Sequence, residues 1–114
     1  MVPIFPMSKQ KLQQIGDDQI GALLSRSGVT VVLMSSPWDG NGVIMRTIVE
    51  NIAARFKMVN FATADYESSP RLAKLFNLLS PPGLLFVKDG ELIHRITKPT
   101  SAGKISELIH AAAQ

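Results

Sequence analysis

Residues 29–42 read VTVVLMSSPWDGNG, and the reading of this stretch decides the fold. Its first seven residues, Val29 to Ser35, are apolar and β-branched on both faces, as expected of a central strand covered on both sides. A proline, the chain's single Trp and a Gly-rich polar segment follow, and then a helical pattern begins. A buried strand running through a short loop into a helix usually presents something reactive. This loop contains no obvious nucleophile.

Working outward, the clearest helix is GVIMRTIVENIAARF, residues 42–56. Val43, Ile44, Ile48, Val49, Ile52 and Phe56 recur at helical spacing, and Arg46, Glu50 and Arg55 turn outward. Val59, Phe61 and Thr63 alternate in MVNFATADY, which predicts a strand. SSPRLAKLFNLL predicts a short helix with Ser69 as cap and Pro70 in the first position. Leu84 to Val87 and Leu92 to Ile96 flank KDG, a strong hairpin signal. SAGKISELIHAAAQ closes the chain as an amphipathic helix using Ile105, Leu108 and Ile109. Upstream, KLQQI (Lys11 to Ile15) is a short strand candidate. DDQIGALLSRSG follows as a helix capped by Asp17 and stopped by Gly28. A rival reading runs one helix from Ser8 through Ser25, against which Gly16 and Gly21 weigh.

The order β-α-β-α-β-α-β-β-α implies parallel pairing with right-handed crossovers, plus a final antiparallel hairpin. The expected fold is an α/β domain with a mixed central sheet of four to five strands, flanked by helices on both faces. The 114 residues suit one domain, read as residues 11–114 behind an N-terminal extension, residues 1–10. An apolar content of 46% fits a packed interior, and a net charge of +3 with scattered Lys and Arg argues against nucleic acid. The absence of cysteine excludes disulfides, thiolate metal sites and thiol chemistry by this chain. MVPIFPM is short, lacks a basic start and makes a poor signal peptide, and no run approaches a membrane span. A cytoplasmic protein without membrane association is expected by default.

This order, with a Trp after the second strand, resembles the thioredoxin family over nearly the whole chain, from Lys11 to the end. VTVVLMSSPWDGNG resembles the family's strand, loop and Trp-Cys-Gly-Pro-Cys active site, with Trp38 on the family's Trp. SPRLAKLFNLLSPPGLLFVKDGELI resembles the third helix, the cis-proline loop and the terminal hairpin, with Pro82 at the cis-proline. The departures are chemical. The two cysteine positions fall on Asp39 and Gly42, and the Gly-Pro between them becomes Gly40 and Asn41. The family's buried acid falls on Leu33, its lysine partner on Thr63, and the glycine before its last helix on Lys98. The resemblance therefore implies a cysteine-less, redox-inactive member, in which disulfide exchange by this chain alone is impossible.

An Asp at a helix N-terminus accepts hydrogen bonds from exposed amides, a preference of about 1 kcal/mol. Asp39 is expected to cap the following helix through the N–H groups of Asn41 and Gly42, making the loop a scaffold feature. Pro81 lacks the N–H that the family offers to a bound peptide at this place. A peptide here would rely on apolar contact with Pro37, Trp38 and Pro82 and on the Pro81 carbonyl. Trp38 either anchors a partner or packs on the domain's own surface. Asp39 and Asn41 have no second carboxylate or His nearby, so capping is preferred to metal binding. His94 and His110 lack partners for catalysis and read as structural. Lys88, Arg95 and Lys98 form either a small basic patch or a solvated sheet edge. GNG lacks the Lys and the spacing of a phosphate loop.

The expectation is a non-enzymatic binding module: an adaptor, assembly factor or chaperone-like protein. It would need no cofactor or metal, and would meet a protein or peptide partner through Pro37, Trp38, Asp39, Gly40, Asn41, Pro81 and Pro82. The competing expectation is an accessory of a thiol–disulfide system working with a thiol-bearing partner. Catalysis with Asp39 as base has no His or second acid to assist it.

Overall fold

A computed structural model gives the fold and describes residues 12–113. The expected extension, residues 1–10, lies outside the described residues. Strand β1 is Gln13–Ile15, β2 Val29–Ser35, β3 Asn60–Asp65, β4 Gly83–Lys88 and β5 Glu91–Ile96. Helix α1 is Ile20–Ser25, α2 Gly40–Ala53, α3 Pro70–Leu75 and α4 Ala102–Ala113. The strand order is β1-β3-β2-β4-β5. The pairs β1–β3 and β2–β3 are parallel, and β4 runs antiparallel to both β2 and β5. The mixed sheet of four to five strands expected from the sequence is therefore present, with five strands, and a strand rather than a continuous helix leads into α1.

Strand alternation divides the interior in two. Val29, Val31 and Leu33 of β2 point to one face, where they meet Met45, Val49 and Ile52 of α2 and Ile105 and Ile109 of α4. Val32 and Met34 point to the other, against Leu23 of α1 and Leu72, Ala73 and Phe76 of α3. Residues 29–34 are all buried, as a strand covered on both faces and paired on both edges must be. The hairpin turn runs through Asp89 and Gly90 with φ of 50° and 86°, the double positive φ that Asp-Gly accommodates. Asp89 also accepts from the Gly28 N–H at 2.8 Å, fastening the turn to the start of β2.

Several local expectations are corrected. Asp17 does not cap the first helix. It opens a single 3₁₀ turn, Asp17–Gln19, closed at Gly16 by the Gln19 side chain. Its carboxylate instead accepts from the N–H groups of Arg71 at 3.1 Å and Leu72 at 2.8 Å. Those are free amides in the first turn of α3, where a carboxylate satisfies donors and complements the helix dipole. Ser69, expected to be that cap, is buried and makes no capping bond. At the other end, Arg95 of β5 donates to the carbonyls of Phe76 and Asn77 at 2.9 and 3.1 Å. Arg95 is thereby committed within the fold rather than to a basic patch. Helix α1 ends at Ser25, and Gly28, with φ of 83°, serves the connection beyond it. Helix α2 begins at Gly40 and ends at Ala53, and its buried stripe uses Met45 while Val43 and Ile44 lie more than half exposed. The apolar pattern was wider than the face that the sheet can cover.

Asp17→Ala leaves two first-turn amides of α3 without their acceptor. Urea denaturation followed by circular dichroism should show a loss of about 1–2 kcal/mol, whereas Ser69→Ala should cost less than Asp17→Ala.

Candidate functional site

Three loops converge at one end of the sheet, and strand register brings them there. In the β2–β4 ladder Met34 lies opposite Gly83, so the segment after β2 and the segment before β4 leave the sheet side by side. The stretches SPWDG and SPPG are thus neighbours although more than forty positions separate them. The β2–β3 ladder ends with Ser35 opposite Asp65. Beyond it, the Tyr66 N–H donates to the Ser35 carbonyl at 2.9 Å, which adds the segment after β3. The Tyr66 hydroxyl then donates to the Leu79 carbonyl at 2.7 Å and lies 3.3 Å from that of Leu78. Ser36 Oγ donates to Glu67 Oε1 at 3.4 Å. The Pro81–Pro82 peptide bond is cis.

Asp39 is the N-cap of α2, as the sequence led us to expect. Its Oδ1 accepts from the Asn41 N–H at 3.1 Å, and its main-chain carbonyl takes the first helical bond from Val43. Gly42 does not join Asn41 as a donor to the carboxylate. Asp39 Oδ2 is buried without a hydrogen-bond partner among the described residues. Gly42 has a steric role instead. A Cβ placed there would come 2.7 Å from Ser35 Cβ, closer than packed carbon atoms approach. The first turn of α2 therefore lies directly against the end of β2, an approach only glycine permits.

Trp38 is 74% exposed, and Leu79 is 86% exposed. Of the two readings of Trp38, packing on the domain's own surface is thus set aside: most of the side chain meets solvent. Pro37 and Gly40 are exposed, Pro81 is half-buried, and Pro82 is buried beneath the loop. Residues around Pro37, Trp38 and Asp39 and around Pro81 and Pro82 are brought together. His94 and His110 are not among them. His94 meets the Phe86 ring edge-on at 5.7 Å, and His110 meets Phe56 at 5.0 Å.

Sequence reasoning missed Tyr66 and Leu79. Leu78 is buried under Gly83 while Leu79 turns out. The doubled leucine before SPP falls within the helix expected from SSPRLAKLFNLL, but α3 stops at Leu75 and Asn77 has a φ of 54°. The signal available was the unusual pair of large apolar residues in a segment bounded by Asn and Ser. Tyr66 gave no signal, since its hydroxyl bonds to main-chain carbonyls that only the folded loop supplies.

The architecture and this arrangement of loops define a thioredoxin-like domain. The family model described as Thioredoxin matches residues 12–111. The chain belongs to the thioredoxin family. It is 30% identical over 69 residues to a thioredoxin of Chlamydia trachomatis, covering 60% of this chain and 68% of that protein. Thioredoxin H2 of Arabidopsis thaliana is 33% identical over 66 residues, covering 58% and 50%. The fold superposes on mitochondrial thioredoxin 3 from Saccharomyces cerevisiae with a TM-score of 0.79 at 20% identity, covering 88% and 94% of the two chains. A mutant thioredoxin from Halobacterium salinarum gives 0.82 at 17%, covering 98% and 97%. In this chain no cysteine stands at any position.

Gly42→Ala should destabilise the domain by about 1–3 kcal/mol through overpacking. The same change in a Ser35→Gly background should cost less, and a double-mutant cycle read by urea denaturation measures that coupling.

Proposed function

We propose that this chain is a redox-inactive thioredoxin-fold module that binds a protein or peptide partner through the surface around Trp38, as an adaptor, assembly or chaperone-like component of the cytoplasm. The observation that carries the reading is Trp38, a large apolar side chain 74% exposed beside Pro37 and on a loop fixed by main-chain pairing. Solvent-facing Trp on a rigid support is the residue type most enriched among binding hot spots. The polar features of the loop are spent on structure, with Asp39 capping α2 and Tyr66 holding the Leu79 carbonyl.

Chemistry limits the alternatives. Thiol–disulfide exchange needs an attacking thiolate, and this chain has no sulfur other than methionine. We therefore take the domain not to be an enzyme on its own. The groove donor at Pro81 is absent as well, so a partner's main chain meets the Pro81 carbonyl and apolar surface rather than a full strand-like ladder. Resemblance to proteins named thioredoxin keeps a second reading in play, an accessory role beside a thiol-bearing partner.

Immobilised protein should capture a partner from native lysate, and Trp38→Ala with Pro37→Ala should weaken that capture by roughly thirtyfold, the usual scale of a truncated hot spot. Far-UV circular dichroism of the variant should match the parent. Full retention of capture dismisses this surface. In an insulin-reduction assay the purified chain should be inactive, and turnover there would contradict the binding reading.

A further inference from the structure

A cleft of about 450 Å³ opens at the carboxyl ends of β2 and β3, against the first turns of α2. Gln14, Ser35, Ser36, Thr63, Asp65, Ser68 and Arg46 line its polar part. The space exists because serine at 35, glycine at 42 and threonine at 63 put little volume where two strands and a helix meet.

One acceptor of this cleft is left unpaired. Asp65 Oδ2 accepts from the Ser68 N–H at 3.2 Å, while Asp65 Oδ1 is buried and has no partner among the described residues. Among the described residues the one cation in the lining, Arg46, is directed to Glu50 at 3.6 Å. A carboxylate can only accept, and the surrounding hydroxyls can accept as well as donate. A buried polar atom left unpaired is destabilising, so a group that brings donors and positive charge to Asp65 is favoured.

From these observations we infer that the cleft binds a protonated primary amine, with Asp65 as its counter-charge and the hydroxyls of Thr63 and Ser68 beside it. An alkylammonium group carries three donors and no acceptor, the complement of this lining. The volume suits a short aliphatic amine or the end of a lysine side chain. Pro37 also lines the cleft, so a protein lying across the neighbouring surface could supply the lysine. The inference does not depend on the Trp38 reading, since Asp65, Thr63 and Ser68 are not part of that surface.

The test is a titration of the isotope-labelled full chain with butylammonium chloride, followed by amide NMR, with sodium butyrate at equal ionic strength as control. Butylammonium should give saturable shifts at Ser36, Thr63 and Ser68, and butyrate should give none. Asp65→Asn keeps an acceptor for the Ser68 N–H but loses the charge, and should weaken binding by about tenfold or more. Thr63→Val, which preserves shape, should weaken it by roughly fivefold. A lysine blocked at both ends serves as the second probe. Tighter binding than butylammonium, with the gain lost in Pro37→Ala, assigns the amine to a partner's lysine, and equal binding assigns it to a free amine. No saturation, saturation by butyrate instead, or a folded Asp65→Asn that binds as the parent does, would each overturn the inference.

Discussion

The double burial of β2 is the constraint on which the rest of this structure depends. Residues 29–34 are covered on both faces and paired on both edges. A one-residue slip in either ladder would exchange the two interior faces, moving Val31 and Leu33 into the space of Val32 and Met34. Both partner strands also present apolar residues on both faces, so every neighbour resists that exchange. The end of β2 is consequently fixed, and with it the positions of Ser35, Pro37 and Trp38 relative to the loops after β3 and before β4.

That fixed end explains how the site keeps its form in a chain without sulfur. Helix α2 starts immediately beyond it, so closely that glycine is required at 42. Asp39 satisfies one of the free amides of the new helix. Neither interaction needs a thiol. A helix N-terminus that would stabilise a thiolate stabilises a carboxylate by the same amide dipoles, so the backbone persists while the chemistry it can support changes. What the site then offers is surface: an exposed indole, a proline-rich rim and the outward Leu79.

The support behind the loops comes from side chains acting across the domain. Asp17, next to the shortest strand, holds the first turn of α3, and Arg95, on the edge strand, holds the carbonyls at its far end. A helix of six residues has little stability of its own. Clamped at both ends and packed through Leu72 and Ala73, α3 leads into the turn that presents Leu79 and then Pro81 and Pro82. Tyr66 completes the arrangement by fixing the carbonyl of Leu79.

The sequence alone determined the order of elements, the two-faced character of β2, the Asp-Gly hairpin turn and the cap at Asp39. Each depends on residues close together in the chain, through alternation, helical spacing or the conformational freedom of glycine. The thioredoxin resemblance added the juxtaposition of the Trp38 and Pro82 loops, and the absence of cysteine was plain from composition. Only the tertiary structure decided where Asp17 and Arg95 spend their charges, which of Val43, Ile44 and Met45 enters the core, and that Leu79 turns outward. It alone joined Ser35, Gly42, Thr63 and Asp65 around one cleft. The reason is that these outcomes depend on groups far apart in sequence competing for the same amides, carbonyls and volume, and local pattern carries no record of who the distant competitor is.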